Sequence, residues 1–120
     1  VEGPIDYINT HGTSTPVGDV QEVQAMRELF GDAMPRFSST KSMCGHSLGA
    51  TGAQEAIFSI LMLQHDFVAP SINVTELDPE LTDMPPVTAV VENAGIRTAM
   101  SNSFGFGGQN VTLALSRFTG

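Results

Sequence analysis

Apolar and polar residues alternate over residues 5–9, a pattern typical of a short, half-buried β-strand. The strand runs directly into a loop, residues 10–18, that is rich in Gly, Thr, Ser and Pro. Apolar side chains then recur at helical spacing and end before Gly31: Val20, Val23, Met26 and Phe30. This spacing predicts a helix with Asp19 as its N-cap. Its solvent-facing side is expected to carry Gln21, Glu22, Gln24 and Glu28.

A second helix is predicted from about residue 47 to about residue 64, after a short polar segment at residues 38–45. Residues 56–63 of this helix are apolar almost all round, so we expect burial on several sides. The helix is too short, and too interrupted by Gln54 and Glu55, to span a bilayer.

The last part of the chain has the pattern of strands. Prolines punctuate an irregular stretch at residues 70–86. Three strands are predicted after it, at residues 87–91, 99–103 and 111–116, with a glycine-rich segment between the last two. The order strand, helix, helix and three strands predicts an α/β layered fold with a mixed sheet.

Composition narrows the possible functions. The 120 residues are 41% hydrophobic and 15% charged, which fits one folded domain and excludes a disordered tail. A net charge of −8 excludes a basic surface for nucleic acid or anionic lipid. The chain has one cysteine, Cys44, and begins without a signal peptide or a methionine, so we expect a cytoplasmic protein and a fragment of a longer chain.

Residues 45–49, Gly-His-Ser-Leu-Gly, fit the nucleophile elbow of α/β hydrolases. That mechanism needs an acid and then a histidine after Ser47, and the only later histidine is His65. On one helix, Glu55 and His65 would lie about 12 and 27 Å along the axis from Ser47, beyond hydrogen-bond reach. Serine hydrolysis therefore stays a disfavoured alternative. The two glycines are interpreted as small residues where the helix packs tightly against a sheet.

Two other kinds of site are disfavoured by spacing. Cys44 lies two residues from His46, but the pattern matches no common zinc motif, so no metal site is predicted. Residues 105–108 resemble half of a dinucleotide-binding motif, yet they lie between two predicted strands. A tight hairpin is the better interpretation.

Three polar segments with glycines each follow a predicted strand: residues 11–16, 41–46 and 101–110. Buried histidines and lysines are costly unless paired, so His11, Lys41 and His46 are predicted to share one polar pocket. Neutral histidines can donate hydrogen bonds to a developing oxyanion, which indicates carbonyl chemistry with enolate stabilisation. This reasoning does not supply a nucleophile.

The same segments closely resemble the three C-terminal motifs of β-ketoacyl-[acyl-carrier-protein] synthases, at residues 11–19, 39–50 and 101–108. The resemblance covers essentially the whole chain and is nearest to the type I enzymes of bacterial dissociated fatty acid synthesis, with type II enzymes as the alternative. It implies a thiolase-like fold of two similar α/β halves. Residues 1–120 would form the C-terminal half, and the catalytic cysteine would lie in the other half.

The resemblance also implies roles for matching residues. His11 and His46 would hydrogen-bond the malonyl thioester carbonyl and stabilise the enolate. Lys41 would order the site, with Glu55 as its buried acidic partner. The Phe106 backbone N–H would complete an oxyanion hole with that of the absent cysteine.

Thr13 and Thr15 match hydroxyls that contact the phosphopantetheine arm in this family. A gating loop is implied at residues 104–108, which are Phe104, Gly105, Phe106, Gly107 and Gly108. Glu22 matches an acid common in the family, with no role assigned. Some members hold a structural cation near positions matching Asn9, Glu55, Ser101 and Asn102, although no metal is predicted for this chain.

The partners implied are acyl carrier protein, the N-terminal half of the same enzyme and a second copy in a homodimer, with no nucleic acid and no membrane span. Substrates would arrive on phosphopantetheine, and the chain itself would bind no cofactor. Carrier protein is acidic, so we expect it to bind a basic patch on the enzyme. That patch lies either in the other half or on this chain, if its four arginines cluster: Arg27, Arg36, Arg97 and Arg117.

The sequence departs from the family at Cys44 and Gln109, where threonine is common. Cys44 is interpreted as a buried packing residue and not as a nucleophile. Because the nucleophile is absent, a non-catalytic thiolase-like binding module remains an alternative function.

Overall fold

The structure, a computed structural model, describes residues 3–120. In chain order the strands are β1 (Tyr7–Asn9), β2 (Arg36–Ser38), β3 (Phe67–Val68), β4 (Val91–Glu92), β5 (Thr98–Phe104) and β6 (Asn110–Ser116). The α-helices are α1 (Gly18–Phe30), α2 (Lys41–Cys44) and α3 (Thr51–His65). Short 3₁₀ turns lie at Gly31–Ala33, Leu48–Ala50 and Pro79–Leu81.

Four strands form one mixed sheet in the order β2-β1-β5-β6. The strand β1 pairs in parallel with β2 on one side and with β5 on the other, and Ile8 lies opposite Phe37 and Met100. The strands β5 and β6 form an antiparallel hairpin in which Asn102 lies opposite Thr112. The predicted mixed sheet is therefore confirmed. The short strands β3 and β4 pair with each other in a separate small sheet.

The helices α1 and α3 cover opposite faces of the sheet, because adjacent residues of a strand point to opposite sides. On one face, α1 packs in a core of Ile8, Val20, Val23, Met26, Phe37 and Leu81. On the other face, α3 packs in a core of Tyr7, Met62, Leu63, Val68, Ile96 and Ala99. The α/β layered architecture predicted from the order of elements is confirmed.

Two predictions about α1 were wrong. The helix begins at Gly18, and the Asp19 carboxylate accepts the Ser14 N–H at 3.1 Å instead of capping the helix. Glu22 is only 7% exposed and does not lie on a solvent-facing side. The spacing of apolar residues along a helix does not tell whether an acid faces water or is buried beside backbone N–H donors.

Residues 38–45 were predicted to be a short polar segment between elements. In the structure this segment contains the end of β2 and all of α2. Its serines and threonines are buried, so a pattern based on hydrophobicity misses both elements. The strand predicted at residues 87–91 is reduced to the Val91–Glu92 pairing. Val87 instead bridges two segments, since its N–H donates to Phe37 O and its carbonyl accepts from Ser71 N, each at 2.8 Å.

The interpretation of the Gly45 and Gly49 pair as close-packing residues was also wrong. A Cβ at either position would meet no atom within 4 Å. Gly45 instead follows α2 with a φ of 72°, and its N–H donates to Lys41 O at 2.9 Å. A left-handed residue that closes a helix is the conformation that glycine adopts at least cost.

Part of α3 is exposed although it is apolar. Ile57 is 55% exposed, and Ile60 and Leu61 are each 40% exposed. Val111 and Leu113 on the edge strand β6 are also about half exposed. Across residues 3–120 no helix is long and apolar enough to cross a membrane. These side chains together leave an apolar surface of the kind that marks a protein interface.

We expect the isolated 120-residue chain to self-associate through α3. Light scattering should give a mass above 12.7 kDa that grows with concentration. The double substitution Ile57→Lys and Leu61→Lys should shift the chain toward monomer, because charge on this face opposes its burial. The control Val90→Lys changes an exposed apolar residue outside α3 and should leave association unchanged. A monomeric wild-type chain would contradict the expectation.

Candidate active site

The polar segments meet where β1, β2 and β5 end. The strands β2 and β5 each pair in parallel with β1, so the carboxyl ends of all three strands lie at one edge of the sheet. His11 follows β1, Lys41 follows β2 and Phe104 is the last residue of β5. The short α2 helix then leads to His46. The sequence thus folds its two histidine segments to the same edge.

His11 and His46 lie side by side. Their ring centroids are 5.8 Å apart, with an angle of 87° between the ring planes. The Phe104 ring lies 5.5 Å from the His11 ring and covers another side of it. Two imidazoles at this separation can direct one nitrogen each toward a single small group placed between them.

Hydrogen bonds fix which nitrogen of each histidine carries the proton. The Phe104 N–H donates to His11 Nδ1 at 3.3 Å. The Leu48 N–H donates to His46 Nδ1 at 3.0 Å, and the Thr51 hydroxyl lies at the same distance from this nitrogen. A nitrogen that accepts a hydrogen bond holds no proton, so the neutral form of each ring carries its proton on Nε2.

The charge state of His11 is set by its surroundings. Partial burial lowers the pKa of His11 below its ordinary value, and the positive charges of Lys41 and His46 lower it further, against a small opposing effect of Asp19. Because an ordinary histidine already titrates near pH 6.5, His11 is a neutral hydrogen-bond donor at neutral pH.

The Glu22 carboxylate holds the backbone of the His11 loop. Its Oε1 accepts the His11 N–H and its Oε2 accepts the Gly12 N–H, each at 2.9 Å. The Asn102 side-chain amide donates to Oε1 at 3.1 Å. The family resemblance singled out Glu22 without a role, and these three hydrogen bonds give it one.

Gly12 is required by the close approach of these segments. Its φ is 27°, and a Cβ would lie 2.7 Å from Thr10 Oγ1 and 2.8 Å from Ser39 Cβ. The Ser39 hydroxyl donates to the Gly12 carbonyl at 2.7 Å. Any larger residue would therefore push the His11 loop away from Ser39.

Lys41 and Glu55 form a buried ion pair between α2 and α3. The Lys41 and Glu55 side chains are only 5% and 1% exposed. Burial raises the pKa of the Glu55 carboxyl above its ordinary value, while the hydrogen bond and the charge of Lys41 act against that rise. The ion pair joins the segment after β2 to the middle of α3 and keeps the lysine charge beside the histidines.

One oxygen of this pair has no protein partner. Among residues 3–120, Glu55 Oε2 is the single buried side-chain oxygen or nitrogen without a hydrogen bond. The side-chain oxygens of Asn9 and Asn102 already accept hydroxyl protons from Thr40 and Thr112. Of these three residues, Glu55 is therefore the one with an oxygen left that could hold a cation. No step of the chemistry below depends on such an ion.

Thr13 and Thr15 lie in a groove beside the histidine pair. The groove has a volume of about 750 Å³ and runs between the His11 loop and the irregular segment at residues 71–79. Lys41, Ser39 and Ser42 line it, but His11, His46 and Phe104 do not. It is thus an open, hydroxyl-lined channel next to the histidines and not a closed pocket around them.

The glycine-rich loop at residues 105–109 connects β5 to β6 as the predicted hairpin. The Gly105 N–H donates to Gln109 O at 2.9 Å, and Gly107 and Gly108 both have positive φ. Phe106 at the tip of this loop is fully exposed. The loop begins directly after Phe104, whose N–H donates to His11 Nδ1.

Neither alternative site is assembled. His65 is the last residue of α3, about 20 Å from the start of that helix, and Ser47 is exposed without a histidine partner among the described residues. Within residues 3–120, no three His, Cys, Asp or Glu side chains group together. The burial expected for Cys44 was wrong, because it is exposed, with its thiol donating to Thr40 O at 3.3 Å.

The arginines do not gather around the histidines. Arg36 begins β2 and donates to Ala94 O, while Arg97 and Arg117 are joined through their backbones just before β5 and just after β6. These positions lie at the opposite end of the sheet from His11: Arg36 pairs with Tyr7, about 13 Å of strand from His11, and Arg97 and Arg117 lie about one β5 length, roughly 20 Å, away. Arg27 on α1 pairs with Asp83.

This chain resembles known proteins both in sequence and in fold. Residues 2–75 match the family described as the β-ketoacyl synthase C-terminal domain. The chain is 61% identical to the 3-oxoacyl-[acyl-carrier-protein] synthase 1 of Haemophilus influenzae over 120 residues, all of this chain and 30% of that relative.

Two solved structures share the fold. One is a β-ketoacyl synthase from Burkholderia phymatum, with a TM-score of 0.86 and 42% identity over 95% of this chain and 28% of that one. The other is a type II polyketide ketosynthase in complex with its acyl-carrier protein, with a TM-score of 0.87 and 30% identity over 95% of this chain and 28% of that one. The chain spans less than a third of the length of these relatives. It belongs to the β-ketoacyl synthase family and has the thiolase-like α/β fold of its C-terminal domain.

Proposed function

We propose that this chain supplies the histidine, histidine and lysine part of a β-ketoacyl-[acyl-carrier-protein] synthase active site. The whole enzyme condenses malonyl-carrier protein with an acyl group held on an enzyme cysteine and forms a β-ketoacyl-carrier protein in fatty acid elongation. The observation that carries the proposal is the His11 and His46 pair, because both rings are fixed with their Nε2–H free.

These two donors suit the decarboxylation step. When the bond between the malonyl carboxylate and its α-carbon breaks, carbon dioxide leaves. The electron pair of that bond stays on the thioester as an enolate. Two preorganised Nε2–H groups stabilise the negative oxygen of that enolate better than the neutral carbonyl. The enolate carbon then attacks the acyl thioester, a carbon–carbon bond forms, and the cysteine leaves as a thiolate.

The lysine acts through the electric field and not as a donor to substrate. Its ion pair with Glu55 holds it in place, and its charge lowers the pKa of His11. A neutral His11 can keep Nδ1 as an acceptor for the Phe104 N–H, whereas a charged ring would have to release that bond. Lys41 thereby adds to the effect of burial in favouring the neutral form of His11, in which the Phe104 N–H sets the tautomer.

The groove lined by Thr13 and Thr15 is the proposed path of the phosphopantetheine arm, whose amides can bond to threonine hydroxyls. The Phe106 N–H is proposed to form an oxyanion hole with the N–H of the cysteine in the other half. The loop of Phe104, Gly105, Phe106, Gly107 and Gly108 is proposed to gate the site, since it carries both Phe106 and the Phe104 contact to His11. The chain itself binds no cofactor in this proposal.

The proposed partners are acyl carrier protein, the N-terminal half of the enzyme and a second copy in a cytoplasmic homodimer. The family similarity to a ketosynthase in complex with its carrier protein supports the first of these. Since Arg36, Arg97 and Arg117 lie at the far end of the sheet, the basic surface for an acidic carrier protein belongs to the other half. The exposed apolar face of α3 supports contact with that half.

A non-catalytic thiolase-like module is the alternative function, because residues 1–120 contain no proposed nucleophile. The reading frame upstream of Val1 distinguishes the enzyme from the non-catalytic module. A preceding half with a cysteine at the matching site favours the enzyme, and a start codon at Val1 favours the module.

In the full-length enzyme, His11→Ala and His46→Ala should each lower malonyl decarboxylation by about 10²–10³-fold, the usual effect of losing one preorganised donor. Acyl transfer to the cysteine should remain, because it forms no enolate on malonyl. Release of carbon dioxide and formation of acyl-enzyme measure the two steps separately. Decarboxylation at the wild-type rate in either variant would overturn the proposal.

Lys41→Met should destabilise the enzyme by about 3–5 kcal/mol, because it leaves the Glu55 carboxylate buried without its partner. The matched control is Arg27→Met, which breaks an ion pair whose side chains are 59% and 57% exposed and should cost less than about 1 kcal/mol. Denaturant unfolding followed by circular dichroism gives both values. Equal losses in the two variants would contradict the importance of the buried pair.

Cys44→Thr should retain condensation, because the exposed Cys44 thiol bonds only to backbone oxygens of its own segment. A threonine hydroxyl can donate to Thr40 O in its place. Acyl-enzyme formation, measured by mass spectrometry of the intact protein, should match the wild type. Its loss in a folded Cys44→Thr variant would identify Cys44 as the nucleophile.

A further inference from the structure

The hydroxyl of Thr112 lies at the outer end of a hydrogen-bond chain that ends at His11. It donates to Asn102 Oδ1 at 2.9 Å, and Asn102 Nδ2 donates to Glu22 Oε1 at 3.1 Å. The same Glu22 oxygen accepts the His11 N–H at 2.9 Å. Three elements, β6, β5 and α1, are therefore joined in sequence to the loop that carries one catalytic histidine.

The direction of every bond in this chain is determined by chemistry. A carboxylate only accepts, so the Asn102 amide must turn its NH₂ group toward Glu22. Its Oδ1 then faces β6 and needs a donor, which the Thr112 hydroxyl provides. Without that donor the amide could rotate, and a rotated Oδ1 would repel the Glu22 carboxylate.

The fold places Thr112 where it can act on Asn102 alone. The two residues are directly opposite in the antiparallel β5 and β6 pair, where side chains on the same face are neighbours. Asn102 and Glu22 are buried, and together with the exposed Thr112 they line a groove of about 520 Å³ between α1 and the hairpin. None of the residues assigned to the proposed reaction lines this groove except Phe104.

We propose that Thr112 is a positioning residue for His11, acting through the Asn102 amide and the Glu22 carboxylate. The inference rests on the proposed function, because its consequence is measured on malonyl decarboxylation. With Asn102 oriented, Glu22 Oε1 lies where it holds the His11 N–H, and Oε2 holds Gly12. With Asn102 free to turn, the carboxylate shifts and the His11 ring leaves the position at which its Nε2–H meets the enolate.

The test compares Thr112→Val with Thr112→Ser in the full-length enzyme. Valine keeps the shape of threonine and removes the hydroxyl, while serine keeps the hydroxyl and removes the methyl group. Thr112→Val should lower the decarboxylation rate about tenfold, the scale expected for a small displacement of a catalytic group. Thr112→Ser should have a decarboxylation rate within about twofold of the wild-type rate. Acyl transfer to the cysteine should be unchanged in both.

Thr98→Val is the matched control. It removes a hydroxyl that joins the same two strands, since Thr98 Oγ1 lies 3.3 Å from Ser116 Oγ at the other end of the hairpin. It should leave decarboxylation at the wild-type rate. If Thr98→Val lowers the rate as much as Thr112→Val, the effect belongs to general hairpin stability and the proposal is wrong.

A double-mutant cycle tests the route through Glu22. Glu22→Gln should itself lower decarboxylation, and in that background Thr112→Val should cause less than about a twofold further loss, because coupled residues are not additive. A full tenfold further loss would overturn the route. A wild-type enzyme without decarboxylation would refute the proposed function itself, whereas an active wild type with a fully active Thr112→Val refutes only this inference.

Discussion

The Glu22 carboxylate is the contact on which the arrangement of the site depends. It lies on α1, yet it accepts hydrogen bonds from the backbone of the loop after β1 and from a side chain of β5. A buried carboxylate is stable only where donors surround it, so Glu22 and the His11 loop each fix the other. The loop is polar and glycine-containing, and without this anchor nothing in its own sequence would hold one conformation.

A second buried carboxylate, Glu55, plays a different part. It is paired with a charge, and the pair carries that charge from α2 into the site. The positive charge disfavours protonation of His11, and neutrality lets His11 Nδ1 accept the Phe104 N–H. One acid therefore controls where His11 lies, and the other, through Lys41, adds to the effect of burial in keeping His11 neutral.

The parts that the sequence predicted are those that depend on periodicity. The β1 strand, the α1 helix to Gly31 and the β5 and β6 hairpin all follow from alternating or helical apolar patterns. The pattern failed for β2 and α2, where buried serines and threonines bond to distant segments of the chain, and for Glu22, whose burial depends on donors eleven and eighty residues away. Long-range polar contacts leave no periodic signal, so hydrophobicity alone could not place them.

The histidine pair could be predicted as a pair because each residue follows a strand that ends at one edge of the sheet. Its chemistry needed the structure, since the proton positions depend on the backbone N–H groups of Phe104 and Leu48. Both donors belong to segments with unusual backbone: Leu48 has a φ of 52°, and Phe104 precedes a loop with two glycines of positive φ. Positive φ is costly for leucine, and here it turns an N–H toward the His46 ring. The two rings therefore become matched donors because backbone N–H groups at the end of β5 and in the turn before α3 are directed at their Nδ1 atoms.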